Sequence, residues 1–457
     1  MTVFVDQVTL NEAWLRAARL PLRPAERRRW QQVAAYGAAR RHDPNPERAA
    51  VLRDLLGLRG AGDRQVLHAA GRLLADAVTG DAVTGDAVTG DAVTGDTVTG
   101  DTGRRALARQ VDERCRQWLD EDVGAAAPLL ELFTGHHRDP EGGPQAVDPE
   151  VAARLGQWLA RRAGAGAELA DAAVIPGGFS RLMLDVRWTG GHGVARIEQD
   201  GMFATEGRRE AAVMRIVRAL GYPVPRVLWE EPDPAVLGHP FFVMEYVDGL
   251  ARTDDAGLDD TIRALGQLHA LGQEAVDQVA ALDGLPPGAR PEQAIAAQLR
   301  HWEDVYRSAV ACPIPLLERG FAWLRANLRP TGPSVIVHGD PGPGNALQDN
   351  DGIAAVIDWE FAHAGDAAED WAYLALIRGR RLGSPQDWKA RIAATAGVAY
   401  DEPTWHAWEA FNSVKGACVN LTALDVFRRT ARPTPDLLAI GVAVHLRFLS
   451  RAVELTS

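Results

Sequence analysis

The sequence predicts an α+β protein with two lobes, a small β-rich one and a large helical one, preceded by a separate α-helical domain. The spacing of apolar residues carries this prediction. From about Val174 it changes from helical to short strand-like runs, and beyond Leu258 it returns to helical. The chain has 457 residues, 46% hydrophobic and 24% charged, which suits a globular protein of roughly three domains.

Charge and cysteine usage exclude several classes of protein. The net charge is −12, whereas nucleic-acid binders usually carry a basic surplus, so we expect no nucleic-acid partner. The three cysteines lie far apart and form no metal-binding pair, which suits a reducing cytoplasm. The sequence shows no signal peptide and no apolar run of about 18 residues, so we expect a cytoplasmic protein without a membrane span.

Residues 1–135 are predicted to form a helical domain of unknown role. Between Glu47 and Leu58 the apolar residues fall at helical spacing among charged ones. The pentapeptide DAVTG then repeats from Asp76, and residues 76–102 form a low-complexity segment that we expect to be a flexible loop. This domain is a candidate for binding a protein partner.

The β-rich lobe is predicted over residues 150–247, after a linker at 136–149 that is rich in proline and glycine. It opens with an amphipathic helix, and a second helix stops at Gly221 just before two prolines. The predicted elements are the helices Val151 to Ala163 and Glu206 to Leu220, and the strands Phe179 to Trp188, Gly193 to Ile197, Val227 to Glu231 and His239 to Tyr246.

The helical lobe is predicted over residues 248–457, with two short apolar strands at Val335 to Val337 and Ala354 to Ile357. The first strand runs into His-Gly-Asp-Pro-Gly-Pro-Gly-Asn, ending at Asn345, and the second into Asp358-Trp-Glu. Phosphoryl transfer needs such a set, because one carboxylate orients the acceptor hydroxyl while an amide oxygen and a second carboxylate hold Mg²⁺. The plain alternative is a glycine- and proline-rich surface turn between two core strands.

Together, HGDxxxxN and IDWE resemble the aminoglycoside phosphotransferase family, a phosphotransferase enzyme family of small-molecule kinases with a protein-kinase-like fold. The resemblance covers roughly residues 171–451, and it implies that Asp340 is the catalytic residue and that Asn345 and Asp358 bind the metal. It also implies that Asp370 braces the catalytic loop and that His338 orients the loop backbone. Trp359 and Glu360 replace the Phe and Gly that follow the equivalent aspartate in protein kinases.

Upstream, Pro176-Gly-Gly-Phe-Ser-Arg181 is similar to the nucleotide loop of that family. Glycines let backbone N–H groups approach phosphate oxygens, so Gly177, Gly178 and Ser180 are predicted to contact the nucleotide. Arg181 stands where the family usually has asparagine. A plain hairpin turn is the structural alternative.

A kinase lobe normally supplies a lysine to the α- and β-phosphates, paired with a glutamate on a helix. This chain has no lysine before Lys389, and Arg196 stands at the matching position. Arginine keeps its charge and grips phosphate with two N–H groups, but it is bulkier than lysine. Glu210 is its predicted partner, with Glu206 as the alternative, and a solvent-exposed arginine on a strand is the structural alternative for Arg196.

Residues 241–249, FFVMEYVDG, resemble the segment that links the two lobes in the same family. An apolar strand that runs into a linker ending in glycine offers backbone groups to an adenine edge. Glu245 to Val247 are predicted to make those contacts. The resemblance thus implies ATP as co-substrate, with GTP as the other nucleotide, and Mg²⁺ as cofactor.

The predicted function is transfer of the γ-phosphate of ATP to a hydroxyl of a small molecule. Residues 401–457 contain six acidic and six basic side chains, which gives no acidic funnel for a polycationic antibiotic. The FFVME and IDWE motifs also resemble the branch linked to acyl-CoA dehydrogenases, which favours a hydroxyacyl acceptor. Three alternatives stay open: a protein kinase, a metal-dependent hydrolase using His338 and His363, and a catalytically weak nucleotide-binding scaffold.

Overall fold

The computed structural model describes residues 7–17, 24–39, 45–79, 101–136, 145–164, 166–175, 181–198, 206–430 and 433–457. The predicted flexible loop falls mainly on residues 80–100, outside this part of the chain. The predicted nucleotide loop, with Gly177, Gly178 and Ser180, also lies outside the described residues.

The described chain is mainly helical, with most of its strands between residues 169 and 245. Its helices are α1 (Gln7–Ala17), α2 (Pro24–Ala39), α3 (Asn45–Leu55), α4 (Asp63–Thr79), α5 (Asp101–Ala125), α6 (Ala127–His136), α7 (Pro149–Ala163), α8 (Gly207–Ala219), α9 (Asp255–His269), α10 (Gln273–Leu282), α11 (Pro291–Ala309), α12 (Pro315–Asn327), α13 (Ala367–Tyr373), α14 (Pro385–Ala396), α15 (Glu402–Arg429), α16 (Pro435–Leu438) and α17 (His445–Leu455).

The strands form one large and two small antiparallel sheets. They are β1 (Gln145–Ala146), β2 (Leu169–Val174), β3 (Arg181–Trp188), β4 (Gly191–Glu198), β5 (Val227–Glu231), β6 (Phe241–Glu245), β7 (Leu250–Ala251), β8 (Val335–Val337), β9 (Ala346–Gln348), β10 (Ile353–Val356) and β11 (His363–Gly365). The sheets have the orders β1-β2-β3-β4-β6-β5, β10-β9-β7 and β11-β8.

The chain divides into two compact units. One contains Met1–Asp139, Leu299–Leu328 and Ala410–Ser457, and the other contains Pro140–Gln298 and Arg329–Glu409. The first boundary falls inside the linker expected at 136–149. The rest of the division differs from the expected one, because residues 299–328 and 410–457, which are expected in the helical lobe, group with the N-terminal helices.

The physical reason for this grouping is the close packing of α4 against α12. A Cβ added to Gly71 of α4 would lie 3.0 Å from Cγ of Glu318, so the two helices approach closely at the glycine. Arg319 is buried, and its guanidinium donates to Asp112 of α5 at 2.6 Å and to the carbonyl of Val453 in α17 at 3.0 Å. Helices from both ends of the chain thus share one core.

In the other unit, the six-stranded sheet packs against α7 and α8. Pro149 occupies the first turn of α7, and the side chain of Asp148 caps it by accepting from the N–H of Glu150 at 2.8 Å. Trp158 of α7 packs on Phe241 of the sheet, with ring centroids 4.8 Å apart. The second helix of this unit, α8, lies in the sequence between β4 and β5. It buries one apolar face and the carboxylate of Glu210.

This order confirms the predicted α+β class and the protein-kinase-like arrangement of a small β-rich lobe followed by helices. The two short sheets sit in the helical part, where β8 and β10 lead into the HGD and IDWE motifs. Within the residues that the structure describes, the helices lack the combination of length and apolar character needed to cross a membrane.

Candidate functional site

The HGD motif forms a tight loop directly after β8. Val337, the last residue of that strand, pairs with His363 of β11. Gly339 follows with φ +84°, in the left-handed region, and a Cβ at this position would lie 2.5 Å from the carbonyl oxygen of Phe361. The glycine of the motif is therefore required both by the backbone conformation and by the close approach of the neighbouring chain.

The carboxylate of Asp370 supports this loop through hydrogen bonds. This carboxylate is fully buried and accepts the backbone N–H groups of His338 and Gly339, each at 2.8 Å. His269 at the end of α9 lies 2.9 Å from the same carboxylate. Burial raises the pKa of Asp370, but the hydrogen bond from His269 and the charges of His269 and His338 outweigh it and hold this pKa below its usual range.

Asp340 is also buried and pairs with an arginine that the sequence motifs do not include. Nε of Arg378 lies 2.9 Å from Oδ1 of Asp340, and Nη2 lies 2.5 Å from Oδ2. Burial raises the pKa of Asp340, but the charge and hydrogen bonds of Arg378, with a further hydrogen bond from Tyr373, outweigh it and lower the pKa. Asp340 is therefore a carboxylate at neutral pH.

Backbone hydrogen bonds bring the HGD and IDWE segments together. Asn345 donates from Nδ2 to the carbonyl of Asp340 at 2.8 Å, and its own carbonyl accepts the N–H of Ile357 at 2.9 Å. Nε2 of His338 lies 3.0 Å from the carbonyl of Ile357. Asp340, Asn345 and Asp358 thus lie on two adjoining segments, as the spacing of the motifs predicts.

Asp358 adopts an unusual backbone conformation at the end of this pairing. Its φ is +70°, and among the described residues it is the one non-glycine residue with a positive φ. The left-handed conformation costs about 1–2 kcal/mol for such a residue. The following Trp359 is fully buried and donates from Nε1 to the carbonyl of Val356 at 2.9 Å, which holds the turn.

Arg196 lies at the centre of a carboxylate–arginine cluster, which we define as Arg181, Arg196, Glu210, Asp358 and Glu360. Nε of Arg196 is 2.8 Å from Oε2 of Glu210, and Nη2 is 2.7 Å from Oδ1 of Asp358 and 3.4 Å from Oε2 of Glu360. Arg181 approaches Glu360 at 3.7 Å. Arg196 is 5% exposed, which rules out a solvent-exposed arginine on a strand.

The cluster has three carboxyl groups for two guanidinium groups, and the pKa values of its glutamates reflect burial first and the neighbouring carboxylates second. Burial, and then the charge of Asp358, raise the pKa of Glu360 to about 8. Burial also raises the pKa of Glu210, against the charge of Arg196. The raised pKa favours the protonated form of Glu360, which lessens the excess of carboxylate charge around the two arginines.

The segment expected to meet the adenine follows β6. The N–H of Glu245 donates to the carbonyl of Arg226 at 2.9 Å, and the N–H of Tyr246 donates to the carbonyl of His192 at 3.2 Å. The Glu245 side chain accepts the N–H of Arg226 at 2.8 Å. Among the described residues, the N–H of Val247 makes no backbone hydrogen bond, in contrast to those of Glu245 and Tyr246.

Sequence reasoning missed several residues that the structure places in this site. Arg378 and Tyr373 contact Asp340, and Glu360 joins the cluster around Arg196. Glu360 lies in the IDWE motif, so its position two residues after Asp358 was an available signal. Arg378 follows the motif by 18 residues in a short π-helix, Leu374–Arg378, and no pattern marks it.

Comparison with known proteins gives a family and several partial matches. The model of the phosphotransferase enzyme family matches residues 171–411, more than half of the chain. Acyl-CoA dehydrogenase family member 10 of Mus musculus is 31% identical over 177 residues, which cover 37% of this chain and 16% of that protein. Acyl-CoA dehydrogenase family member 11 of Homo sapiens is 29% identical over 183 residues, covering 37% and 23%.

The chain thus spans between a sixth and a quarter of the length of these relatives. Two solved structures are similar over most of their own length. Ethanolamine kinase of Plasmodium vivax has a TM-score of 0.48 at 13% identity, covering 71% of this chain and 93% of that one. Macrolide 2'-phosphotransferase MphH of Brachybacterium faecium has a TM-score of 0.41 at 21% identity, covering 67% and 98%. On the extent of the family match, this chain belongs to the phosphotransferase enzyme family.

Proposed function

We propose that this protein is an ATP- and Mg²⁺-dependent phosphotransferase that moves the γ-phosphoryl group of ATP to a hydroxyl of a small molecule. One observation carries the proposal. Backbone hydrogen bonds join the HGD and IDWE segments, which carry Asp340, Asn345 and Asp358, and Arg196 joins Asp358 to Glu210. A base, two oxygen donors for a metal and a cation for phosphate are the parts that this reaction uses.

Asp340 is proposed to orient the acceptor hydroxyl and to take its proton. Its lowered pKa keeps it ionised but makes it a weak base at neutral pH. A weak base is sufficient, because the transition state of phosphoryl transfer is loose and the nucleophile needs alignment more than full deprotonation. We therefore propose that Asp340 mainly orients the acceptor hydroxyl and takes the hydroxyl proton only late in the transfer step.

The donors at Asn345 and Asp358 fit Mg²⁺. Nδ2 of Asn345 donates to the carbonyl of Asp340, which leaves its Oδ1 for a cation, and Asp358 offers a carboxylate that is partly exposed. Mg²⁺ is usually held by one or two protein oxygen ligands with substrate phosphates and water. When bound, the ion would neutralise charge on the phosphate oxygens, while these two residues fix its position.

Arg196 is proposed to bind the α- and β-phosphates, with Glu210 holding its side chain. Arg196 already contacts three carboxyl groups, and phosphate oxygens would give it a further anionic partner in a buried setting. Val247 and the backbone of Glu245 are proposed to meet the adenine, and Gly177, Gly178 and Ser180 the phosphates. The remaining two assignments are structural: His338 and Asp370 support the loop.

The acceptor is proposed to be a hydroxylated metabolite, with hydroxyacyl compounds as the first class to test. The partial matches to acyl-CoA dehydrogenase family proteins support this choice. The N-terminal helices are proposed to bind a protein partner, and the compartment is proposed to be the cytoplasm.

The test compares nucleotide binding with phosphoryl transfer in three variants of the full chain. We expect Mg²⁺ with ATP at 100 times Kd to stabilise the protein by about 2.7 kcal/mol, and Asp358→Ala to abolish the Mg²⁺-dependent part. Asp340→Ala should keep nucleotide binding and lose at least about a thousandfold in kcat. Asp351→Ala, an exposed carboxylate on the β9–β10 turn, is the matched control and should change neither.

The outcomes separate the proposal from its main alternative. If neither ATP nor GTP stabilises the protein in the presence of Mg²⁺, the proposal is overturned. That result would favour a scaffold that works through its N-terminal helices. Nucleotide binding with full turnover in Asp340→Ala would move the catalytic role to another residue.

A further inference from the structure

A bidentate arginine on the carboxylate of Asp340 points to the charge of the acceptor. Nε and Nη2 of Arg378 contact the two different oxygens of Asp340, at 2.9 and 2.5 Å. Nδ2 of Asn345 lies 3.3 Å from Oδ2. An acceptor hydroxyl that is oriented by Asp340 must therefore share this carboxylate with Arg378 or replace it.

Arg378 lies on the exposed side of the pair. Its side chain is 50% exposed, whereas that of Asp340 is 8% exposed. The stem of Arg378 lies against Gly342, where an added Cβ would be 3.5 Å from its Cγ. A molecule that reaches Asp340 from solvent thus meets this guanidinium group first.

The segment that carries Arg378 adds further positive charge. Arg380 and Arg381 follow in the next turn, Gly379–Arg381, and both are exposed. Among the described residues neither of them forms an ion pair, whereas Arg378 pairs with Asp340. Nε1 of Trp388 donates to the carbonyl of Gly379 at 2.8 Å, which fixes this turn against α14.

A cationic acceptor would be repelled by this surface, and an anionic one would be attracted. A guanidinium group forms its strongest contacts with carboxylate and phosphate, through two parallel N–H bonds. Resting on the proposed function, we infer that the acceptor carries an anionic group near its hydroxyl, and that Arg378 exchanges Asp340 for this group when the acceptor binds. The exchange frees the carboxylate of Asp340 to orient the hydroxyl.

The experiment measures phosphoryl transfer from ATP with Mg²⁺ to pairs of probes that differ in charge. The pairs are 3-hydroxybutanoate with 3-hydroxybutanamide, and glycerol 3-phosphate with glycerol, with choline as a cationic probe. For the wild-type protein we expect at least one anionic probe to exceed its neutral partner about tenfold in kcat/KM, and choline to be poorest. The carboxylate and phosphate pairs distinguish the two sources of negative charge.

Variants of the arginine segment connect this preference to Arg378. Arg378→Gln should bring the ratio of anionic to neutral probe close to one, mainly through KM for the anionic probe. Arg378→Lys, which keeps the charge but loses the paired N–H groups, should retain part of the ratio. Arg381→Gln removes one charge from the same surface without touching Asp340, and it should lower the ratio by a smaller factor than Arg378→Gln does.

A separate readout keeps the inference distinct from the proposed function. Each variant is checked for its melting temperature and for stabilisation by ATP with Mg²⁺, which do not involve the acceptor. The inference fails in two cases in which folding, nucleotide binding and transfer are all retained. In the first, the wild-type protein prefers neutral or cationic probes; in the second, Arg378→Gln keeps the ratio of anionic to neutral probe. In both cases the proposed function stands. If neither nucleotide binding nor transfer to any probe is found, both fail.

Discussion

Replacement of Asp370 by alanine tests the architecture of the site without touching a substrate group. The carboxylate is fully buried and accepts two backbone N–H groups of the HGD loop and contacts His269. A buried donor left without a partner costs about 1–3 kcal/mol. The substitution leaves two such backbone donors and the ring of His269 without this partner, so the losses add. We therefore expect Asp370→Ala to lower the free energy of unfolding by about 3–5 kcal/mol at pH 7.

The pH dependence gives this prediction a second measurement. The folded protein lowers the pKa of Asp370 below its ordinary value of 3.8. Its stabilisation is therefore complete above the unfolded pKa and is lost as the pH falls through the folded one. Urea unfolding at pH 7 and pH 3 should show a difference between wild type and Asp370→Ala that is large at pH 7 and smaller at pH 3.

Two further variants control this result. Asp351→Ala removes an exposed carboxylate and should change stability by less than about 0.5 kcal/mol. Asp370→Asn keeps the volume of the side chain and one acceptor oxygen. It replaces Asp370→Ala in the measurement if the alanine variant does not fold. A loss below about 1 kcal/mol in both Asp370 variants, with no change in pH dependence, would show that the loop does not rely on this carboxylate.

Two other predictions concern backbone conformation and a buried histidine. Gly339→Ala should lower the free energy of unfolding in urea by more than about 2 kcal/mol, because the added Cβ meets the carbonyl of Phe361. Gly284→Ala, at φ +73° with open space around it, should lower it by only about 1 kcal/mol. Equal losses in the two variants would contradict this prediction. Burial lowers the pKa of His445 to about 4, so wild-type stability should fall by about 3 kcal/mol as the pH drops from 6.5 through 4, and a His445→Gln variant that falls equally would refute it.

Much of the second unit could be predicted from the sequence, because its signals are local. Proline, glycine and apolar spacing predicted α8 as Glu206 to Leu220, and the structure has Gly207–Ala219. The strands Val227–Glu231 and Val335–Val337 match their predicted bounds. The residues of such a segment determine its local conformation, so a single sequence is sufficient to predict it.

Partners across space were harder to predict. Arg378 contacts Asp340 from 38 residues away, through a π-helical segment that has no sequence signature. The grouping of α12 with α4 depends on the small volume of Gly71, and an amphipathic helix face does not specify which helix covers it. Both features follow from tertiary packing, which a single sequence does not report.

The arginine at position 196 also determines which reagents can detect this protein. Acylating nucleotide probes label kinases by reacting with a lysine amine beside the phosphates, and a guanidinium group, which stays protonated, is a poor nucleophile. The chain has two lysines, Lys389 and Lys415; Lys389 is paired with Glu402, and Lys415 is buried. If Arg196 binds the phosphates as proposed, surveys of cell extracts with such probes would pass over this protein, and a census of kinases by lysine labelling would undercount proteins with the same replacement.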